Sequence, residues 1–167
     1  MATSTTLPAT FVAGNVLTAA QMNDLRGAFR VLQVVSANIN TLALNSTTTY
    51  ADTGLTATIT PSATSSKILV LVNQAGIIKE GANASACCDL RLLRGASEIS
   101  QFSNAVGFTG TTGNNYVGNS GSFYLDSPAT TSATTYKTQF KNQVAALGVA
   151  VQVGGSVSNI VLLEISA

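Results

Sequence analysis

Residues 50–74 read YADTGLTATITPSATSSKILVLVNQ, and the change of pattern inside them decides the fold. In the first half, Leu55, Ala57 and Ile59 alternate with Thr56, Thr58 and Thr60. A period of two is that of a strand with one dry and one wet face. Pro61 cannot donate to a ladder and ends that strand. Residues 61–66, PSATSS, form a turn-rich loop. In the second half, residues 67–74, the apolar side chains run almost without a break, as expected of a central strand buried on both faces.

The same signals recur outward from this pair. Residues 31–44, VLQVVSANINTLAL, are β-rich with Asn and Ser breaks. GANAS (81–85) is a loop, and CDLRLLRGASEISQF (88–102) reads as a hairpin turning at Arg94-Gly95-Ala96. GFTGTTGNNYVGNSG (107–121) reads as a flexible connection or an exposed loop. Residues 122–143 give two strands joined by a loop at 127–133, and 149–166 give two more. Eight or nine short strands at regular spacing predict an all-β chain, an antiparallel β-sandwich or jelly roll.

The N-terminal part differs. Residues 1–13 lack periodicity and read as an extended arm with Phe11 as an anchor. GNVLTAAQMNDLRGAF (14–29) predicts one short amphipathic helix. Thr18 is a good N-cap, Gln21 sits at the capping-box spacing, and Leu17 with Met22 match the hydrophobic staple. Met22, Leu25, Phe29 and Leu32 fall at spacings of three and four and share a face. Asp24 near the start and Arg26 and Arg30 near the end suit the helix dipole. A helix of about a dozen residues is marginal alone, so its face has to pack, either on its own domain or on another chain. The expected division is an arm and docking helix over 1–35 and a β-sandwich over 36–167.

Composition narrows the function. Charged residues make up 9% of the 167 residues, against about 25% in ordinary soluble domains. Thr, Ser, Asn and Gln must therefore supply the polar surface, and a surface with so little charge suits a protein packed against copies or partners. The net charge is +1 with no basic run, so no nucleic-acid partner is expected. No apolar run reaches the roughly 18 residues of a membrane span. The first ten residues carry neither a basic nor an apolar leader pattern, so the chain is expected to be made in the cytoplasm.

There is no histidine, which removes the usual general base and the commonest metal ligand. No two of the seven carboxylates are spaced in sequence as a dyad, although a long-range pair stays open. Asp52 and Asp126 sit in turn contexts and read as turn-capping residues. No phosphate loop or metal-ligand spacing occurs. The adjacent Cys87 and Cys88 read as free thiols, one of them buried, since strand neighbours point to opposite faces. The expectation is therefore no enzyme, no catalytic residue, no cofactor and no metal.

Two groups of segments carry a resemblance. FVAGNVLTAAQMNDLR (11–26) is similar to the N-terminal segment of small bacteriophage structural proteins. YADTGLTATITPSATSSKILVLV (50–72), YLDSPATTSATTYKTQF (124–140) and IVLLEIS (160–166) resemble the jelly-roll modules of phage fibres and decoration proteins. Together these cover 63 of the 167 residues. The resemblance implies a virion protein on the particle surface, made in the host cytoplasm and associating as a homotrimer. It implies first a capsid decoration (cement) protein. Its arm and helix would dock on the major capsid protein or another virion protein through Phe11, Leu17, Met22, Leu25 and Phe29. The alternative is a short tail or head fibre binding a host surface glycan or protein, with Phe108, Asn114, Asn115 and Tyr116 as the candidate receptor loop. A glycan-binding or glycan-cleaving role rests on fold analogy alone.

Overall fold

A computed structural model describes Val16 and residues 31–81, 83–145 and 148–166 of the chain. Among them there are ten strands: β1 (Val31–Ile39), β2 (Ala43–Asn45), β3 (Ala51–Ile59), β4 (Lys67–Lys79), β5 (Cys88–Arg94), β6 (Ser97–Val106), β7 (Asn115–Asp126), β8 (Thr134–Asn142), β9 (Val149–Val151) and β10 (Ser158–Ile165). Every pairing is antiparallel. The expected all-β sandwich is the observed architecture.

One sheet has the order β1-β10-β4-β9-β2, with β7 on the other edge of β4; the second has the order β3-β8-β5-β6. The run β1-β10-β4-β7 facing β3-β8-β5-β6 is the strand order of a jelly roll, two Greek keys wound together. β4 is central because it is long: one edge takes β10 along Lys67–Asn73 and β9 at Ile78 and Lys79, while the other takes β7 from Ile68 to Lys79.

The period-two pattern of β3 does what it predicts. Leu55, Ala57 and Ile59 are buried and the threonines between them are exposed. They meet Ile68, Val70, Val72, Leu92, Tyr136, Ile160 and Leu162 in the larger apolar cluster. A second cluster holds Ile77, Cys88, Leu90, Phe140, Val149 and Val151. A buried polar group, Gln74, Thr138, Thr53, Ser158 and Gln152, lies between these two sets along the strands. Thr138 donates to Gln74 Oε1 (3.0 Å), and Ser158 Oγ accepts from Gln74 Nε2 (2.9 Å) and from the Ala75 amide (2.8 Å). The Gln152 amide fits with its oxygen 2.6 Å from Gln74 Nε2 and its nitrogen toward Thr41 and Val151 carbonyls. Gly76, at φ +60, has no room for a Cβ, which would meet the Val153 amide at 2.7 Å.

Four expectations need correction or placing. The helix over 14–29, with Phe11, Leu17, Met22, Leu25 and Phe29, lies outside the described residues apart from Val16. Leu32 does not continue a helical stripe, because it stands in β1, which crosses the expected boundary at residue 35. The stretch 107–121 is not one loop: from Asn115 it is β7, whose ladder with β4 overrides the weak strand preference of Gly118 and Gly121. Both cysteines are buried, not one. β5 turns Cys88 into the core, while Cys87 is enclosed where the 83–87 loop enters that strand.

Candidate functional site

Two outward surfaces of the sandwich differ completely in chemistry. On the four-stranded sheet a polar ladder crosses all the strands. Lys137 Nζ lies 2.9 Å from the Asp52 carboxylate, which also accepts from Gln139 Nε2 at 2.7 Å. Gln139 Oε1 accepts from Arg91 Nε (3.0 Å) and Nη2 (2.6 Å), and Arg91 Nη1 reaches Glu98 at 2.9 Å. The Arg91 guanidinium also lies 3.8 Å over the Tyr50 ring. Burial raises the Asp52 carboxyl, but the hydrogen bonds from Lys137 and Gln139 outweigh it and hold the group below its ordinary value.

The outward face of the other sheet is apolar. Register rows run Val34–Leu163–Leu69–Leu125 and Ser36–Val161–Leu71–Phe123 across β1, β10, β4 and β7. Phe123 is 81% exposed, Val34 60% and Leu125 57%. The next row outward is Asn38–Asn159–Asn73–Gly121. The two acids on these strands point inward: Asp126 to Tyr136 and Arg94, Glu164 to Ser62 and Gln33. The sequence carries the signal for this surface. An unbroken run such as KILVLV asks for burial on both faces, and the sandwich itself buries only one.

The four candidate loop residues divide by role. Asn114 Oδ1 accepts the Gly81 amide at 2.6 Å, and Asn115 Nδ2 donates to the Gly107 carbonyl at 3.2 Å, so both fasten the loop. Phe108 and Tyr116 are 58% and 70% exposed. Lys79, which the sequence reading passed over, is fully buried beneath this loop. Its Nζ donates to the Thr111 carbonyl (2.6 Å), Thr109 Oγ1 (2.8 Å) and the Ala84 carbonyl (3.3 Å). The ammonium thus ties 107–114 to 80–86 through neutral oxygens. Tyr116 is the register partner of Ile78, which faces Ala150, and Ala150 faces Leu44; this places Tyr116 and the 58%-exposed Leu44 in one row at the loop end of the six-stranded sheet.

The buried ionisable groups are held rather than poised. Burial pushes the Cys88 thiol far up, with the Asp89 charge adding to it. Burial also raises Tyr136, whose hydroxyl donates to Asp126. Among the described residues no three metal-ligating side chains come together. No helix among them is long and apolar enough to cross a membrane. What the geometry offers is an apolar face opposite a polar one, and one end with two open aromatics, Phe108 on the fastened loop and Tyr116 at the start of β7. No protein-family model and no curated protein matches the chain.

Proposed function

We propose that this chain is a non-catalytic structural protein of a phage virion, a capsid decoration protein that sits as a homotrimer on the particle surface. The observation that carries the reading is the apolar outward face of the six-stranded sheet. A small domain of such low charge gains nothing from that face as a free monomer, and gains an assembly surface when packed in a particle. The resemblance of residues 11–26 to phage structural proteins supplies the particle. The segment ahead of β1, residues 1–30, docks on the major capsid protein or another virion protein, and the sandwich projects from the shell. The side chains of Phe11, Leu17, Met22, Leu25 and Phe29 drive docking through apolar burial, at about 25 cal/mol per Å².

Phe108 and Tyr116 favour a second reading. Two exposed aromatics at one end of a rigid sandwich suit a fibre tip that meets a host surface glycan or protein. Antibody labelling of the encoding phage, seen by electron microscopy, separates the two. Label over the whole head supports decoration, and label at the tail or a single vertex supports the fibre. Particles without label overturn both. A chain lacking residues 1–30 that still coats heads overturns the docking role.

A further inference from the structure

We propose that copies of this chain meet through the outward face of the six-stranded sheet, with Phe123, Leu125, Leu71 and Val34 at the centre of the contact. This rests on the self-associating part of the function proposed above and names its surface. Four observations point to a second copy as the occupant.

The first is size. An aromatic side chain alone brings roughly 150–250 Å², and Phe123 is 81% exposed. With Val34, Leu125, Leu71 and the half-open leucines and valine between them, the patch is on the order of 600 Å². A specific interface needs about 800 Å² from each partner; the apolar patch covers most of that, and the asparagine row beside it extends the surface.

The second is charge. A self-association repeats every charge on both sides of the contact, and like charges brought together cost several kcal/mol. The two central rows hold no ionisable side chain, and the ion pairs of Arg91–Glu98 and Lys137–Asp52 lie on the opposite outward face. Lys67 stands only at the far end of the patch, where Ser127 Oγ accepts from its Nζ.

The third is the asparagine row. Asn38, Asn73 and Asn159 have no side-chain hydrogen bond among the described residues. A primary amide carries both donors and acceptors, so the same row on a second copy is a matching partner for it. The fourth is the pattern of β4 and β10, whose apolar residues occupy both faces although the domain encloses one.

The test is the mass of the full-length chain in solution by sedimentation equilibrium and native mass spectrometry. The expected result is a mass above that of the single 17.0 kDa chain, two chains if the faces meet patch to patch and three if they close the ring of the homotrimer proposed above. The double variant Leu71→Asn, Phe123→Ser should fall to the mass of the single chain, with the β-type circular dichroism spectrum and a cooperative melt retained. Thr58→Glu, on the opposite face, should leave the mass unchanged. Should the double variant not fold, Val34→Glu on the edge strand β1 gives the same readout. A monomeric wild type overturns the proposal, including one in which residues 17–30 shield the face from a maleimide probe at Phe123→Cys. An assembly that survives these changes overturns it as well. The virion reading fails separately: a chain that assembles through this face but labels no particle leaves the interface standing, and a monomer that labels particles does the reverse.

Discussion

Tyr136 and Asp126 join the two sheets. The phenol of Tyr136, on β8, donates to Asp126 Oδ2, on β7, at 2.6 Å. Arg94 Nη1, at the end of β5, lies 2.9 Å from both oxygens of the same carboxylate. β7 is otherwise paired on one edge only, to β4, so this contact fixes its C-terminal end against the opposite layer. Ser103 and Ser120 hydroxyls make a second short link between β6 and β7.

Replacing Tyr136 by Phe removes one charge-assisted hydrogen bond and leaves Asp126 with Arg94. The expected loss is about 2 kcal/mol, measured by urea unfolding. Asp126→Ala should cost more, about 3 kcal/mol, because it removes the Arg94 ion pair as well as the acceptor of the buried phenol. Equal losses in the two variants would mean that Arg94 contributes nothing to the link.

Glu164 gives the fold its acid sensitivity. Burial raises its carboxyl, but hydrogen bonds from Ser62, Ser66 and Gln33 outweigh that and bring it down to about 2, from an ordinary 4.5. Ser62 donates from its amide (2.7 Å) and hydroxyl (2.6 Å), and Gln33 Nε2 at 2.5 Å. The folded value lies below the unfolded one, so the stabilisation is complete above about pH 4.5 and is lost as the pH falls toward 2. Unfolding midpoints should drop through that window, and Glu164→Gln should flatten the drop while lowering stability at pH 7. A variant with the wild-type acid profile would assign the effect to other carboxylates.

Lys79→Met should release the loop. Three oxygens lose a buried ammonium donor, at a cost of about 2 to 3 kcal/mol. Hydrogen exchange should rise in residues 107–114 and 80–86 while the β3-β8 ladder keeps its protection. Exchange that rises evenly across the domain would mean that Lys79 supports the whole core and not this end of it.

Gln74 holds the polar group between the apolar clusters. Gln74→Leu leaves Thr138 and Ser158 each short of a partner in a dry environment, with an expected loss of about 2 kcal/mol. Adding Thr138→Val should lose less than the sum of the two single changes, since the pair shares one network. Strict additivity in a double-mutant cycle would show that the two side chains act independently.

Much of the sandwich was legible because strand patterns are local. The alternation of β3, the hairpin at Gly95-Ala96 and the loop at 127–133 each follow from side-chain period and turn chemistry within a few residues. β7 was only half legible. Its glycines and asparagines speak for a loop, and only the ladder offered by a strand some forty residues upstream makes it a strand. The loop candidates show the same division: composition marked the segment, but only the fold separates Asn114 and Asn115, which fasten it, from Phe108 and Tyr116, which face outward.

By itself the sequence determined that the domain is all-β, poor in charge and apolar on both sides of its central strands, because composition and period are properties of the chain before it folds. The tertiary structure alone decided which side of β4 the domain encloses. Sheet pairing brings Val34, Leu163, Leu69 and Leu125 into one row from four distant segments. Packing on β3-β8-β5-β6 then uses up the opposite parity, so the apolar side chains left over gather on one face, where only another surface can bury them.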